Sequence, residues 1–363
     1  MEKVKVLEVT SSLNIGGAET LLMNILANIN KEKFSIDFLC YGNDKFAYEE
    51  KVKKYGSSIF RINNPIDIGM IRHIKEVYSF LKKNNYNVVH CHNLFNCGPV
   101  LFAAFLAGVK IRIAHSHTTV YLNDGPISLK KKVYYFLAKR LISLFATKRF
   151  ACGIESGKFL YGNKKFKVIK NGINTNDYIF SKTYRDMIRK KYNIDDSTVV
   201  LGHVGRFVEV KNHLFLIDVF KDYCSTNDSK LLLVGDGILK DEIVNKIKQY
   251  KLEEKVILTG AISDVNKYYS AMDCFVFPSL SEGLPLTLIE AQTNGLPIIA
   301  SDGISVESDI TNTICFEKLN SKKWLVDLNE IDKVKRNDNL NKVIESGFDI
   351  NDTTKLLEKE YSF

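Results

Sequence analysis

The stretch "DCFVFPSLSEGLPLTLIEAQTNGLPIIASD" (Asp273–Asp302) decides how the rest of the chain is read. "CFVFPS" is a nearly unbroken apolar run, the pattern of a strand buried on both faces. Gly283 and Pro285 interrupt "LSEGLPL" and predict a loop. "LTLIEAQTNG" reads as a helix stopped by Gly295, with Pro297 just beyond, and "PIIASD" as a second short strand. Strand, loop, helix and strand in this order make one βαβ unit, which commits the segment to a parallel sheet.

The same alternation extends upstream. "VVLGHVG" (199–205), "KLLLVGD" (230–236) and "KVILTG" (255–260) are strand candidates, separated by helical stretches such as "NHLFLIDVFKDYC" and "DVNKYYSAM". A polar segment near residues 172–185, rich in Asn, Asp and Thr, marks a linker. Before it lie seven further strand candidates: 4–10, 34–40, 58–63, 87–92, 111–117, 149–153 and 167–172. The fold class is therefore α/β, with two successive doubly wound, Rossmann-like domains facing across a cleft. In such sheets ligands bind beyond the carboxyl ends of the strands. The predicted division is 1–178 and 179–345, with the tail 346–363 a candidate to pack back on the N-terminal domain. Beyond Asn320 the pattern is weak, helical and charged, around the single Trp324.

Composition supports this organisation. At 363 residues the chain exceeds one ordinary core, and 45% hydrophobic with 26% charged residues is a globular balance. No window approaches 18 consecutive apolar residues, and "MEKVKVLEVTSS" enters a strand without the apolar core of a signal peptide, so a cytoplasmic protein is expected. Seven scattered cysteines, odd in number and without a C-x-x-C pair, read as buried free thiols rather than a disulfide framework. The net charge of +9 suits an anionic partner, although solubility alone would also explain it. Its densest cluster, "LKKKVYYFLAKRLISLFATKR" (129–149), mixes basic and aromatic residues at helical spacing. That pattern fits a helix lying on an anionic bilayer at the inner face of the cell membrane, or an ordinary amphipathic helix with its apolar face on the core.

The polar residues that break the apolar pattern fall at predicted strand ends. Arg206 follows the strand ending at Gly205, and Lys211 stands at the mouth of the next helix. An arginine fork, a lysine point charge and a helix N-terminus together suit a diphosphate; two solvated cations are the plainer reading. Gly202 and Gly205 favour close backbone approach to a ligand, while "GDG" (235–237) is by itself a turn. Glu282 lies on the loop after a strand and Glu290 in the following helix. A carboxylate accepts well from vicinal hydroxyls, and the backbone of Gly283, Leu284, Pro285 and Leu286 opens a helix that can hold phosphate. A capping acid and a solvated helix glutamate are the alternative.

Two H-x-H pairs, His90 with His92 and His115 with His117, end the fourth and fifth strands. Alternation puts each pair on one face, as in metal-dependent hydrolases, but the nearby Asn93, Ser116 and Thr118 are poor ligands. No D-x-D occurs either, so no metal and no cofactor are expected. Gly16 and Gly17 sit between the first strand and the first helix, without the G-x-G-x-x-G of a dinucleotide site.

Taken together, Arg206 and Lys211 followed by Glu282 and Glu290 inside "PSLSEGLPLTLIEAQTNGLPIIAS" resemble the donor site of retaining glycosyltransferases of family 4. Such enzymes have the GT-B fold and serve in bacterial surface and capsular polysaccharide synthesis. The resemblance is strongest over 199–302 and weakest after 303. It implies that Arg206 and Lys211 bind the donor diphosphate, Glu290 the ribose and Glu282 the transferred sugar, with Gly283–Leu286 alongside. The base would lie near Gly260 and Ala261, and the glycine loop at Gly16 and Gly17 would approach the donor phosphate. His117 would contact the transferred sugar, with His115 as the substitute and His92 facing the cleft. The implied reaction moves a sugar from a UDP-sugar to a hydroxyl of a saccharide or lipid-linked saccharide, without an enzyme nucleophile and without nucleic acid. A nucleotide-sugar 2-epimerase of the same architecture and a catalytically silent binding module are the other readings.

Overall fold

A computed structural model describes residues 3–118, 128–331 and 336–362. The chain divides into two compact units: Met1–Ile173 joined by Ile350–Phe363, and Asn174–Asp349. The first holds β1 (Val4–Val9), β2 (Phe34–Tyr41), β3 (Ile59–Ile62), β4 (Val88–Cys91), β5 (Ile111–Ser116), β6 (Lys148–Ala151) and β7 (Lys167–Val168). They form one parallel sheet in the order β3-β2-β1-β4-β5-β6-β7. The second holds β8 (Val199–Val204), β9 (Ser229–Val234), β10 (Val256–Leu258), β11 (Cys274–Phe277), β12 (Ile298–Ser301) and β13 (Ile314–Glu317). Their order is β10-β9-β8-β11-β12-β13, again parallel.

Both orders reverse once, between β1 and β4 and between β8 and β11. A doubly wound sheet leaves its crevice at that reversal, because the flanking connections leave on opposite faces. Buried clusters cover both faces of each sheet. In the first unit Leu7 and Val9 join one cluster and Val6 the other, as the two-residue period of a strand dictates. In the second unit Leu201 and Leu231 face one cluster, Val200 and Leu232 the other.

The strand-end loops of the second unit are stitched backbone to backbone. Gly205 N–H donates to Val234 O at 3.0 Å, Phe207 N–H to Asp236 O at 2.9 Å and Gly235 N–H to Gly260 O at 3.1 Å. Gly235 has φ +152°, and a Cβ there would collide with the Gly205 carbonyl. The Gly-Asp-Gly sequence is thus a close crossing of two loops.

Several details differ from the sequence reading. Gly202 lies inside β8 with its open side filled by Met272, so it serves packing rather than ligand approach. Cys315 is exposed, on the half-exposed edge strand β13, while the other six thiols are buried. The polar segment near 172–185 already contains the start of a helix, Lys182–Lys191, capped by Ser181, whose hydroxyl accepts from Tyr184 N–H at 3.3 Å. Its Arg189 is buried and donates to Asp273 at 2.6 Å and to the Thr198 carbonyl at 3.1 Å. In the first unit, the helix Cys97–Ala107 meets the helix Leu129–Phe145 at Gly98, where a Cβ would stand 2.5 Å from the Ala138 carbonyl oxygen.

Candidate active site

In the second unit, the carboxyl ends of β8 and β11 bring cation and acid together. Arg206 is exposed and forms no ion pair among the described residues. Lys211 turns inward: its Nζ lies 2.5 Å from Glu282 Oε1 and 4.7 Å from the centre of the Phe277 ring. Leu280 N–H donates to Val210 O at 2.8 Å and ties the Glu282 loop to the lysine's own turn. The expected diphosphate and sugar contacts therefore pair with each other. An ammonium and a carboxylate on one rim can be drawn apart by a ligand that offers phosphate to one and hydroxyls to the other. Gly205 stands against the His203 ring and the Lys211 stem, so a side chain there would push the lysine aside.

Gly283 and Leu284 are accessible on the loop, whereas Pro285 and Leu286 are buried at the start of the helix Leu286–Thr293. Glu290 is buried, at 6% exposure. Tyr178 donates to its Oε1 at 3.1 Å and Tyr269 to its Oε2 at 2.6 Å. Burial pushes the Glu290 carboxyl above the usual range, against those two hydroxyls and the Lys211 charge. The tyrosines come from separate segments, and nothing in their local sequence announces them.

In the first unit, Gly16 and Gly17 stand at the start of the helix Gly17–Asn28, and a Cβ at Gly17 would meet open space. The histidines gather at the reversal between β1 and β4. His90 and His115 lie on the same sheet face as Val88 and Ile113, and His92 and His117 continue each alternation. Register sets Glu8 of β1 directly beside His90 of β4. His92 Nε2 faces Glu8 Oε2 at 2.8 Å, and His92 Nδ1 faces His117 Nε2 at 2.7 Å. Tyr361, from the helix Ile350–Tyr361, donates to Glu8 Oε1 at 2.9 Å and lies 2.7 Å from His90 Nδ1. His90 Nε2 in turn faces His115 Nδ1 at 3.1 Å.

Burial opposes the charge on Glu8, but His90 and the hydrogen bonds from His90 and His92 outweigh it and hold the carboxyl well below the usual carboxylate range. Burial, aided by the charge of His90, lowers His92 to about 4. Burial also drives His115 and His117 well below the ordinary histidine value. Ring nitrogens of His90, His92 and His115 lie within 4.8 Å of one another, close enough to hold a cation. Both nitrogens of His90 and of His92 already face other side chains, so the cluster stands as a hydrogen-bonded relay. Sequence reasoning missed its acid. An isolated Glu8 inside the apolar "VKVLEV" is the signal that marks it.

Comparison with known proteins bears on what these two sites belong to. A family model described as Glycosyl transferases group 1 matches residues 185–346, and one described as Glycosyltransferase Family 4 matches 15–177. EpsF of Bacillus subtilis, named as a glycosyltransferase, is 35% identical over 312 residues, covering 84% of this chain and 81% of EpsF. The chain belongs to this glycosyltransferase family. An Escherichia coli relative of the glycosyltransferase, named UDP-Gal:alpha-D-GlcNAc-diphosphoundecaprenol alpha-1,3-galactosyltransferase, is 28% identical over 91% of this chain and 86% of its own length. Among solved structures, Anabaena HepE in complex with UDP shares the fold at a TM-score of 0.80, with 18% identity over 99% of both chains. The fold of the glycosyltransferase is accordingly GT-B.

Proposed function

We propose that this glycosyltransferase moves a sugar from a UDP-sugar to a hydroxyl of a lipid-linked saccharide in surface polysaccharide assembly, with retention at the anomeric carbon and without a metal. The observation that carries the reading is the Lys211–Glu282 pair beside Arg206 at the reversal of the second sheet. Arg206 and Lys211 neutralise the diphosphate as the glycosidic bond breaks. The leaving phosphate takes the proton of the acceptor hydroxyl on the face it departs from, so the new bond forms where the old one broke and no enzyme nucleophile is needed. Glu282 holds the sugar hydroxyls and Glu290 the ribose through the lone pairs its tyrosines leave, and His117 contacts the transferred sugar. The E. coli relative's named donor and diphosphoundecaprenol acceptor, and the UDP and UDP-glucose held by HepE, support the choice of donor and acceptor classes.

The acceptor class also accounts for the helix Leu129–Phe145. Leu129, Val133, Phe136, Leu137 and Leu144 form one exposed stripe, with Arg140 stacked on Phe136 and Lys130–Lys132 beside it. In the proposed setting the stripe lies on the anionic inner face of the membrane, beside the lipid carrier. Among the described residues no helix is long and apolar enough to cross a membrane.

The deciding experiment incubates the protein with labelled UDP-sugars and a lipid-linked acceptor, and follows free UDP and glycosylated lipid. Wild type should release both, and Lys211→Ala or Glu282→Ala should slow release at least a hundredfold. An isomerised donor with no released nucleotide would instead establish the epimerase reading.

A further inference from the structure

The first unit's histidines carry more information than their positions. An ionised carboxylate only accepts hydrogen bonds, so whatever faces Glu8 must donate. His92 therefore carries its proton on Nε2, 2.8 Å from Glu8 Oε2. Burial keeps His92 neutral near pH 7, and its Nδ1 is then a bare lone pair. The partner of that lone pair, His117 Nε2 at 2.7 Å, must be the donor. Neutral His117 is left with Nδ1 unprotonated, a buried atom beside the side chain of Asn171, whose Oδ1 is a second buried acceptor.

A second branch leaves the other carboxylate oxygen. Tyr361 donates to Glu8 Oε1, so its oxygen accepts from His90 Nδ1 at 2.7 Å. His90 Nε2 and His115 Nδ1 face each other at 3.1 Å, and His115 Nε2 ends the branch, buried and unpartnered among the described residues.

We infer that Glu8 is a positioning residue that sets the tautomers of His92 and His117, so that His117 offers Nδ1 as a hydrogen-bond acceptor to a hydroxyl of the transferred sugar. The sugar contact rests on the donor reading proposed above; the relay itself does not.

Histidine tautomers are read directly by long-range proton–nitrogen NMR on the full-length protein labelled at its seven histidines with nitrogen-15. At pH 7.5 the His117 ring, recognised by its loss in His117→Ala, should show a protonated Nε2 and an unprotonated Nδ1. The opposite tautomer, which would aim a donor at Asn171, overturns the relay with no variant of Glu8 required. Glu8→Ala removes the acceptor that holds the His92 proton on Nε2, so His117 should lose its single tautomer. A folded Glu8→Ala protein with the His117 tautomer unchanged overturns the positioning role of Glu8. The sugar contact is probed separately: His117→Ala should weaken binding of UDP-glucose at least tenfold and leave binding of UDP unchanged. Equal binding of UDP-glucose by both proteins removes the sugar contact. Binding of neither ligand by wild type, with the tautomers as derived, removes the donor reading and leaves the relay standing.

Discussion

Glu8, His92 and His117 make the first unit sensitive to acid, and the sign follows from which state binds protons. His92 falls to about 4 in the folded chain from an ordinary 6.5, so between those values the unfolded chain takes up a proton that the folded chain excludes. Stability therefore declines as pH drops through this window, by up to about 3 kcal/mol for this site. Glu8, whose folded carboxyl is also depressed, adds a further loss below the ordinary carboxylate range. Urea midpoints at pH 7.5 and 5.5 should move apart in wild type and draw together in His92→Asn. Some of this chemistry is legible in the sequence. The two H-x-H pairs fall at strand ends, and alternation alone places each pair on one face. Glu8 is visible in principle as an acid in an apolar strand. Tyr361 is not, because its contact with Glu8 spans 353 positions and no local pattern encodes such a meeting. The Tyr178 and Tyr269 hydroxyls on Glu290 are hidden for the same reason.

At the scale of elements, the helix Leu129–Phe145 is the part of the surface that a water-soluble fold would not design for. Its inner side packs through Ala138 and Ile142, while its exposed apolar stripe has no cover among the described residues. Changing Lys130, Lys131, Lys132 and Arg140 to glutamine should abolish sedimentation with vesicles containing anionic lipid. Replacing Phe136 and Leu144 by serine should weaken it at every salt concentration, since that loss is apolar. Unchanged sedimentation in both would remove the membrane role. The elements themselves are mostly readable. Central parallel strands are short apolar runs buried on both faces, and twelve of the thirteen strands fall in segments read as strands from the sequence. The thirteenth, β13, is "ICFE", half-exposed on a sheet edge. The helix Lys182–Lys191 is masked by its charge: only Ile188 and Arg189 are buried, and one of those is an arginine.

For the whole molecule, two doubly wound units can be read from the alternation of runs, but the path of the chain through them cannot. The chain leaves the first unit at Ile173, builds the second, and returns at Ile350, whose N–H donates to Ile173 O at 2.8 Å. The returning helix buries Ile350, Leu357 and Tyr361 in the first unit's core and holds Asn30 N–H through Glu358 at 2.7 Å. A chain ended at Asp349 should therefore lose the first unit and keep the second. Limited proteolysis should then digest residues before Ile173 while a fragment close to Asn174–Asp349 persists. Equal resistance of both parts would show that the returning helix is dispensable.

That return also sets an order of events during synthesis. Every residue of Asn174–Asp349 leaves the ribosome before the segment that finishes the first unit does. At roughly 5–20 residues per second, the first sheet waits on the order of ten seconds or more with the groove for its last helix empty. Through that interval Glu8 lacks the tyrosine hydroxyl that later donates to it. The half of the chain translated first is therefore completed last, and a chaperone that shelters nascent chains would find its binding surface on the N-terminal sheet.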